Sequence, residues 1–568
     1  MAPRMTTVDW VAAPPPEAAA LLIATGCSPR LAPLLARRGV ADAAAAGRFL
    51  APSLDQLHDP GLLAGMSEAV GRLAAARQRG ERVAIVGDYD VDGVTATALL
   101  LAAFGACGVD ATPILPHRLE EGYGFQPVHV ERALAAGARL IVTADCGSSS
   151  REAIERALAA GVDVVVTDHH LPRYELPEGV VQLNPHRALG AYPFRDLAAV
   201  GLALKLALAL AETCGRRLPL PALLRIACLG TIADLVPLRG ENRVIAALGL
   251  LALRETRSAG LKALIGQAGM KPPFSAADVG YRLGPRLNAV GRLHTPEQAL
   301  ELLLSRDPRR AAELALQLEG WNRERQARET QVFDEAMEHL GRRSPLPPIL
   351  VAWRAGWHKG VVGIAAGRVA RELHRPTLLL AVEGASATGS GRSIAGIELH
   401  GFLARWEARL DRFGGHAQAV GLSVAASELA ALQAEWEEAA AAEWPPARLA
   451  RRQEYELSVA PREVSRALLA ELALLEPHGQ GNPHPILRTG PLRLEGSPRL
   501  FGNGHLAARA RGDDGGAVEL VGWRWQARAS GLSGRFEVLG QLERDGYTGG
   551  PVLRLLDCRP AEAMTDAG

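Results

Sequence analysis

The sequence predicts a multidomain α/β protein: a parallel-sheet domain first, then a helical connector, a second α/β domain and a small closed β-barrel. Three observations carry this prediction. Short apolar runs alternate with Ala/Leu-rich helical segments between Arg82 and Thr167, the βαβ rhythm of a doubly wound sheet. A long charged helical stretch follows from about Pro296 to Leu340. From Glu454 onward the texture changes to short alternating strands between glycine-rich turns, as in a barrel of OB-fold type.

The first sheet is read from R-V-A-I-V-G, T-P-I-L-P, R-L-I-V-T-A-D and V-D-V-V-V-T-D, with helices near Val94 to Phe104, Pro127 to Ala136 and Arg151 to Ala160 between them. The connector contains E-Q-A-L-E-L-L-L and W-N-R-E-R-Q-A-R-E-T-Q and ends in the breaker R-R-S-P-L-P-P. A second α/β pattern begins with I-L-V-A-W and P-T-L-L-L-A-V and runs to about Ala442, where W-P-P interrupts it. The barrel strands are E-Y-E-L-S-V, L-R-L-E-G, H-L-A-A-R-A-R, V-E-L-V-G-W-R-W, R-F-E-V-L-G-Q-L and P-V-L-R-L-L. These readings divide the chain into 1–70, expected to pack on the catalytic domain, then 71–295 for that domain, 296–345 for the connector, 346–445 for the second domain and 452–560 for the barrel. A length of 568 residues suits such a division, since one core rarely organises more than about 250.

Hydrophobic residues at 48% and charged residues at 22% describe a folded globular chain. A net charge of +1 excludes bulk attraction to nucleic acid, so any nucleic-acid face must be local. Only Lys205, Lys262, Lys271 and Lys359 are lysines among 63 basic residues, which reads as GC-rich codon bias before it reads as phosphate recognition. The six cysteines form no C-x-x-C pair, as expected of reduced thiols in a cytoplasmic protein. Neither a secretory signal nor a membrane span is expected: Met1 to Pro16 has no apolar core, and Lys205 breaks the apolar stretch from Leu197 to Leu210.

Each of the three clearest strands ends in metal-binding chemistry: G-D-Y-D-V-D-G at Gly87 to Gly93, A-D-C-G at Ala144 to Gly147, and T-D-H-H at Thr167 to His170. In an open parallel sheet the carboxyl ends of the strands share one crevice, so these segments converge there. A single aspartate after a strand is ordinarily a helix cap or turn former. Asp88, Asp90 and Asp92, alternating within five residues, instead cluster like charge at a cost that cations would offset. Mixed carboxylate and imidazole donors without thiolates point to Mn²⁺ or Mg²⁺. Several carboxylates can hold two ions about 4 Å apart, the arrangement that supports phosphoester hydrolysis.

D-Y-D-V-D-G, A-D-C-G, D-H-H and the later T-I-A-D-L-V-P-L match, in order and spacing, the motifs of the DHH phosphoesterase superfamily. The chain resembles that superfamily, and within it the RecJ family. The resemblance implies that Asp90, Asp92, Asp145, His169 and Asp234 are metal ligands, with Asp145 bridging two ions. It implies catalytic roles for His170, facing the scissile phosphate, and for Asp88 and Asp168, supporting the ligands. One departure stands out: superfamily members that hydrolyse pyrophosphate carry a histidine four residues before the position of Asp90, where this chain has Val86.

Further segments resemble the RecJ family: H-R-L-E-E-G-Y-G, G-P-R-L-N-A-V-G-R-L, W-H-K-G-V-V-G-I, G-S-G-R-S, G-G-H-A-Q-A-V-G and E-P-H-G-Q-G-N-P. Glycine-rich turns beside a hydroxyl, an arginine or a histidine bring backbone amides and charge close to phosphate. By the resemblance, Arg118, Ser390 and Arg392 hold the 5′-terminal region of a strand, and Arg286, Asn288, Arg292, Trp357, His358 and His416 line its path. The barrel carries Phe501, Trp523, Trp525 and Tyr547 among eleven arginines and eight acids between Arg488 and Arg559, a composition suited to stacking unpaired bases. Strand alternation would put Trp523 and Trp525 on one side, as stacking rings or as core.

The function implied is a two-metal exonuclease that hydrolyses single-stranded DNA from 5′ to 3′, releases 5′-mononucleotides and serves DNA repair and recombination. Single-stranded DNA is the expected partner, with a helicase and a single-strand-binding protein as protein partners and the cytoplasm as location. Two alternatives stay open at this point: a DHH enzyme for short oligonucleotides, cyclic dinucleotides or pyrophosphate, and a non-catalytic DNA-binding scaffold that has kept the fold.

Overall fold

The computed structural model, which describes residues 8–117, 121, 124–187, 192–293 and 296–561, gathers the apolar runs into one parallel sheet. After a short strand, Asp9–Ala12, come three short helices, α1 (Ala18–Ala24), α2 (Leu31–Arg37) and α3 (Ala43–Leu50), and α4 (Met66–Arg79) leads into the sheet. Its strands are β1 (Arg82–Gly87), β2 (Ala111–Ile114), β3 (Ala138–Ala144), β4 (Asp163–Thr167) and β5 (Val181–Leu183), in the order β2-β1-β3-β4-β5. Apolar side chains fill both faces of β1, β3 and β4, which is why these strands read as continuous apolar runs. One face packs Val83, Ile85, Leu140 and Val142 against α4, α5 (Val91–Cys107), α8 (Ala199–Thr213) and α9 (Leu220–Ala233). The other packs Ala84, Val86, Ile141 and Val164 against α6 (Pro127–Ala135) and α7 (Arg151–Ala159).

The chain folds into two compact units. The unit built on this sheet runs from Ala12 to Glu319 and resumes at Glu454. It also contains α10 (Gly240–Arg254) and α11 (Gly284–Leu293). Its resumed portion is a barrel of β11 (Leu457–Val459), β12 (Leu487–Leu494), β13 (Arg499–Phe501), β14 (His505–Gly512), β15 (Ala517–Gly522), β16 (Phe536–Arg544) and β17 (Pro551–Pro560). Five of these strands, β12-β16-β17-β15-β14, close on themselves through the pairing of β12 with β14.

The N-terminal segment differs from expectation. Leu22, Leu31, Leu34, Leu35 and Phe49 of α1 to α3 share a core with Leu487, Leu506 and Phe536 of the barrel. Only the part from about Leu57 through α4 turns its apolar side to the catalytic sheet. Polar contacts reinforce the barrel docking, since Arg38 donates to Asn482 Oδ1 at 2.6 Å and to Pro483 O at 2.6 Å. The tryptophans also part company. Trp525 is 4% exposed beneath the Arg528 guanidinium, while Trp523 is 53% exposed. Strand β15 ends at Gly522 and Arg524 adopts φ +59, so the two-residue alternation no longer applies.

In the other unit, from Gly320 to Gln453 with residues up to Val11, the sheet is mixed. Strands β6 (Leu350–Ala355), β7 (Thr377–Glu383), β8 (Ser386–Arg392), β9 (Arg412–His416) and β10 (Ala419–Ala425) follow the order β9-β10-β8-β7-β6, and only β6 and β7 pair in parallel. The chain enters this unit along α12 (Pro308–Leu340), and α13 (Val362–Leu373) supplies the crossover between β6 and β7. Among the described residues no helix is long and apolar enough to cross a membrane.

Candidate metal centre

Register brings the acidic groups to one edge of the parallel sheet. Gly87 pairs with Ala144, so Asp88 and Asp145 leave β1 and β3 side by side, and Asp168 leaves β4 next to them. Asp90 caps α5, its Oδ1 accepting the amides of Asp92 at 2.9 Å and Gly93 at 3.1 Å. Asp92 lies in the first turn of that helix and accepts the amides of Ala199 at 2.7 Å and Val200 at 2.9 Å, at the start of α8. Asp234 is the C-cap of α9. His169 Nε2 reaches all three sides of this ring, standing 3.2 Å from Asp145 Oδ1, 3.6 Å from Asp234 Oδ2 and 4.0 Å from Asp92 Oδ2.

Donor atoms within 4.8 Å of one another form three overlapping sets: Asp145 with His169 and His170, Asp92 with His169 and Asp234, and Asp88 with Asp90 and Asp145. Asp145 and His169 each belong to two of them. Asp145 also sits at φ +70, a left-handed backbone that costs a non-glycine residue about 1 to 2 kcal/mol and persists only where its surroundings enforce it.

The electrostatics show what this donor set lacks. Burial, and then the charges of Asp90, Asp92, Asp234 and Asp88, push the Asp145 carboxyl well above the usual carboxylate range. Burial with Asp92 and Asp90 raises Asp234 to about 9, and burial with Asp90 raises Asp92 to about 7 against the pull of its two amide partners. Burial and His170 lower His169 to about 4, which keeps its ring neutral. Asp145 Oδ1 and His169 Nε2 are buried, and neither makes a hydrogen bond. Oxygen and neutral imidazole donors held this close fit a divalent cation of the Mn²⁺ or Mg²⁺ type.

Asp168 anchors His170, whose Nδ1 stands 3.8 Å from Asp145 Oδ1. Asp168 Oδ1 lies 2.8 Å from His170 Nδ1, and Asp168 also accepts the amides of Ser148 and His170. Burial would raise Asp168, but the His170 bond and charge and the two amides outweigh it and hold the carboxyl at about 2. Burial opposes protonation of His170, yet Asp168 with the charges of Asp88 and Asp90 brings its pKa above the ordinary value. Asn184 fixes this turn by donating to His170 O at 2.8 Å and Ser148 Oγ at 3.0 Å.

Two glycines make these approaches possible, Gly93 at the end of the first motif and Gly230, which the motif reading did not single out. A Cβ on Gly93 would meet the Asp88 backbone at 2.6 Å, and one on Gly230 would lie 2.3 Å from Thr95 Oγ1 and 2.7 Å from Asp92 Oδ1. A glycine inside an otherwise apolar helix, as in C-L-G-T-I-A-D, is the signal that could have found Gly230. Val86, where relatives that hydrolyse pyrophosphate carry histidine, is fully buried among Ile141, Val164 and other apolar side chains.

The expected strand-path residues are distributed unevenly. Arg118 and the side chain of Arg292 lie outside the described residues. Asn288 Oδ1 accepts the amide of Val91 at 3.1 Å, so this residue braces the loop of Asp90 and Asp92. Arg286 pairs with Glu319 at 2.7 Å. In the other unit, Trp357 is 5% exposed and donates from Nε1 to Glu335 at 2.7 Å. Its indole therefore belongs to a core with Val361 and Leu379 and does not line a surface path. His358 beside it is half-buried, Nδ1 accepting the Gly360 amide at 3.1 Å.

Ser390 and Arg392 sit two apart on β8, and register places His416 in the row of Arg392 through Ala419, so all three project from one sheet face. A Cβ on Gly363, in the first turn of α13, would approach Ser390 Oγ and Arg392 Nη2 to 3.1 Å. A hydroxyl, a guanidinium and a helix N-terminus thus meet at one point, a combination that favours an anion. The motif reading missed Gly363 as well, although it lies within W-H-K-G-V-V-G-I.

Comparison with known proteins matches the model of the DHH family, N-terminal domain, to residues 82–231, the DHHA1 domain to residues 346–442 and the RecJ OB domain to residues 455–556. The single-stranded-DNA-specific exonuclease RecJ of Dickeya dadantii is 38% identical over 517 residues, covering 85% of this chain and 87% of that one. The Bacillus subtilis protein of the same name is 35% identical over 520 residues, and the match spans 91% of this chain and 66% of the relative. RecJ from Thermus thermophilus, solved in complex with Mn²⁺, superposes with a TM-score of 0.81 at 31% identity, covering 98% of this chain and 80% of that one.

Proposed function

The chain belongs to the RecJ family of DHH phosphoesterases, and from that membership we infer that it is a metal-dependent, single-strand-specific exodeoxyribonuclease that works from 5′ to 3′, releases 5′-mononucleotides and serves DNA repair and recombination in the cytoplasm. The observation that carries the inference is the sharing of Asp145 and His169 among overlapping donor sets inside a buried ring of carboxylates. Asp90, Asp92, Asp145, His169 and Asp234 would hold two Mn²⁺ or Mg²⁺ ions, with Asp88 supporting them. Bound there, such ions lower the pKa of a water and stabilise charge developing on the phosphoryl oxygens.

The chain's own groups supply the rest. Water oxygen bonds to phosphorus, the bond from phosphorus to the 3′ oxygen of the first nucleotide breaks, and that oxygen takes up a proton. His170 is oriented by Asp168 through Nδ1 and is assigned a hydrogen bond from its ring to a phosphate oxygen. Ser390, Arg392 and the first turn of α13 hold the terminal 5′-phosphate. Confinement to unpaired strand makes a duplex-opening helicase and a single-strand-binding protein the natural protein partners.

Two experiments test this reading. Cleavage of 5′-labelled and 3′-labelled single strands, with and without duplex competitor, should release labelled mononucleotide first from the 5′-labelled strand and spare the duplex. Release first from the 3′ label would overturn the polarity. Arg392→Ala should lower kcat/KM by roughly 10-fold to 150-fold, the worth of one charge-assisted phosphate contact, and erase the preference for 5′-phosphorylated over 5′-hydroxyl strands. An unchanged preference ratio would remove Arg392 from the end-binding site.

A further inference from the structure

We infer that the loop 476–482, which leads into the barrel, is a positioning element for Asp234, so that the C-terminal domain acts on the metal centre as well as on remote nucleotides. The inference rests on the reading of Asp234 as a metal ligand. Asp234 ends α9, and the four residues after it turn the chain toward α10, beginning with Leu235 at φ +62. Asp234 is tied to α9 on one side through its amide to Gly230 O at 2.9 Å, and on the other side its backbone depends on where residues 235 to 238 are held.

They are held from two sides. Leu238 N donates to Gln480 O at 2.7 Å. The two chains approach so closely that a Cβ on Gly479 would lie 2.6 Å from Leu238 Cδ1, and one on Gly481, itself at φ +70, would lie 2.9 Å from Pro237 Cβ. On the opposite side Asn242 Nδ2 donates to Pro237 O at 3.2 Å. The loop is in turn fixed to the body of the unit. Asn482, fully buried, donates to Leu475 O at 2.7 Å and Pro477 O at 2.8 Å and accepts from Arg38. Arg243, next to Asn242, donates to Leu475 O at 3.0 Å and Glu476 O at 2.7 Å. Ordinary domain docking could fall anywhere on the catalytic domain, but this contact falls on the residues that immediately follow a ligand. Metal sites lose affinity steeply when such supports loosen, since ligands must be held to about 0.5 Å.

The test measures Mn²⁺ binding to the full chain by the electron paramagnetic resonance of free Mn²⁺, for wild type, Gly481→Ala and Asp234→Asn, together with steady-state cleavage of a single strand. Gly481→Ala should weaken Mn²⁺ binding on the order of 10-fold, the cost typical of a lost supporting contact. It should lower kcat at limiting metal, leave KM for the strand within about 2-fold, and regain kcat at saturating Mn²⁺. Because Mn²⁺ also stabilises a merely destabilised chain, binding is measured where denaturant unfolding shows the metal-free variant to be fully folded; a destabilised but correctly positioned chain then binds Mn²⁺ as wild type does. If Gly481→Ala fails to fold, Gly479→Ala is read in the same way, since there only the Leu238 side chain, Cδ1 and Cγ, must give. Wild-type Mn²⁺ binding in a folded glycine variant, with Asp234→Asn impaired, overturns the positioning role. Unimpaired binding in Asp234→Asn instead removes the metal reading beneath it.

Discussion

Two buried charged clusters lie in the same unit, and they are finished differently. In the first, Lys205 and Glu241 are 1% and 0% exposed and face each other. Glu241 accepts the His58 amide at 2.9 Å and the Tyr192 hydroxyl at 2.6 Å, and Lys205 also donates to His58 O. Charge is balanced and the hydrogen bonds are made within the chain. In the second, carboxylates of Asp88, Asp90, Asp92, Asp145 and Asp234 surround one neutral imidazole, the pKa values of Asp92, Asp145 and Asp234 are driven upward, and Asp145 Oδ1 makes no hydrogen bond. Burial of charge is common to both. In the first, one lysine balances one glutamate; in the second, five carboxylates outnumber the two histidines beside them, so the first is structure and the second is a receptor for cations.

The contrast breaks most visibly under substitution. Asp145→Ala should lower the cleavage rate by several orders of magnitude while leaving the unfolding free energy of the metal-free chain unchanged or higher, because it removes one of several repelling carboxylates. Single-turnover cleavage with denaturant unfolding checks both halves. Lys205→Met should behave in the opposite manner, costing about 3 to 5 kcal/mol of stability by leaving Glu241 buried without a partner. Cleavage by the fraction that remains folded should be nearly normal. Metal addition sharpens the distinction: Mn²⁺ at about 100 times its Kd should stabilise wild type and Lys205→Met by about 2.7 kcal/mol each, and Asp145→Ala far less, as read from thermal unfolding.

The last comparison concerns pH. Asp92 and Asp234 titrate at about 7 and about 9 in the folded metal-free chain, against an ordinary 3.8. The native state therefore keeps protons that the unfolded state has already released. Stability of the metal-free chain should fall as pH rises from about 4 to about 9, by up to about 1.4 kcal/mol per pH unit for each such proton. Saturating Mn²⁺ should remove that slope, and denaturant titrations across the range with and without the ion will show it.

How far the two clusters were legible in the sequence follows from the same difference. Asp88, Asp90, Asp92, Asp145, Asp168 and the two histidines announce themselves because they crowd the ends of strands whose apolar runs are easy to read. Lys205 and Glu241 are ordinary residues on two helices, and nothing short of the folded chain brings them together. The left-handed backbone of Asp145 and the close approaches at Gly93 and Gly230 depend on contacts across the fold, so residue types alone do not show them. Trp357 illustrates the reverse error, since a motif tryptophan expected at a surface is a core residue bonded to Glu335. The docking of α1 to α3 on the barrel was hidden for a similar reason, because an amphipathic helix shows that it must be covered but not by what.

The most direct test of the metal centre is a count. Full-length chain stripped of metal, equilibrated with Mn²⁺ and separated from free ion should carry about two Mn²⁺ per chain by elemental analysis, and Asp145→Ala should carry fewer than one under the same conditions. Wild type that emerges without Mn²⁺, or a variant that retains the full complement, would contradict the assignment of the buried carboxylate ring as a two-metal site.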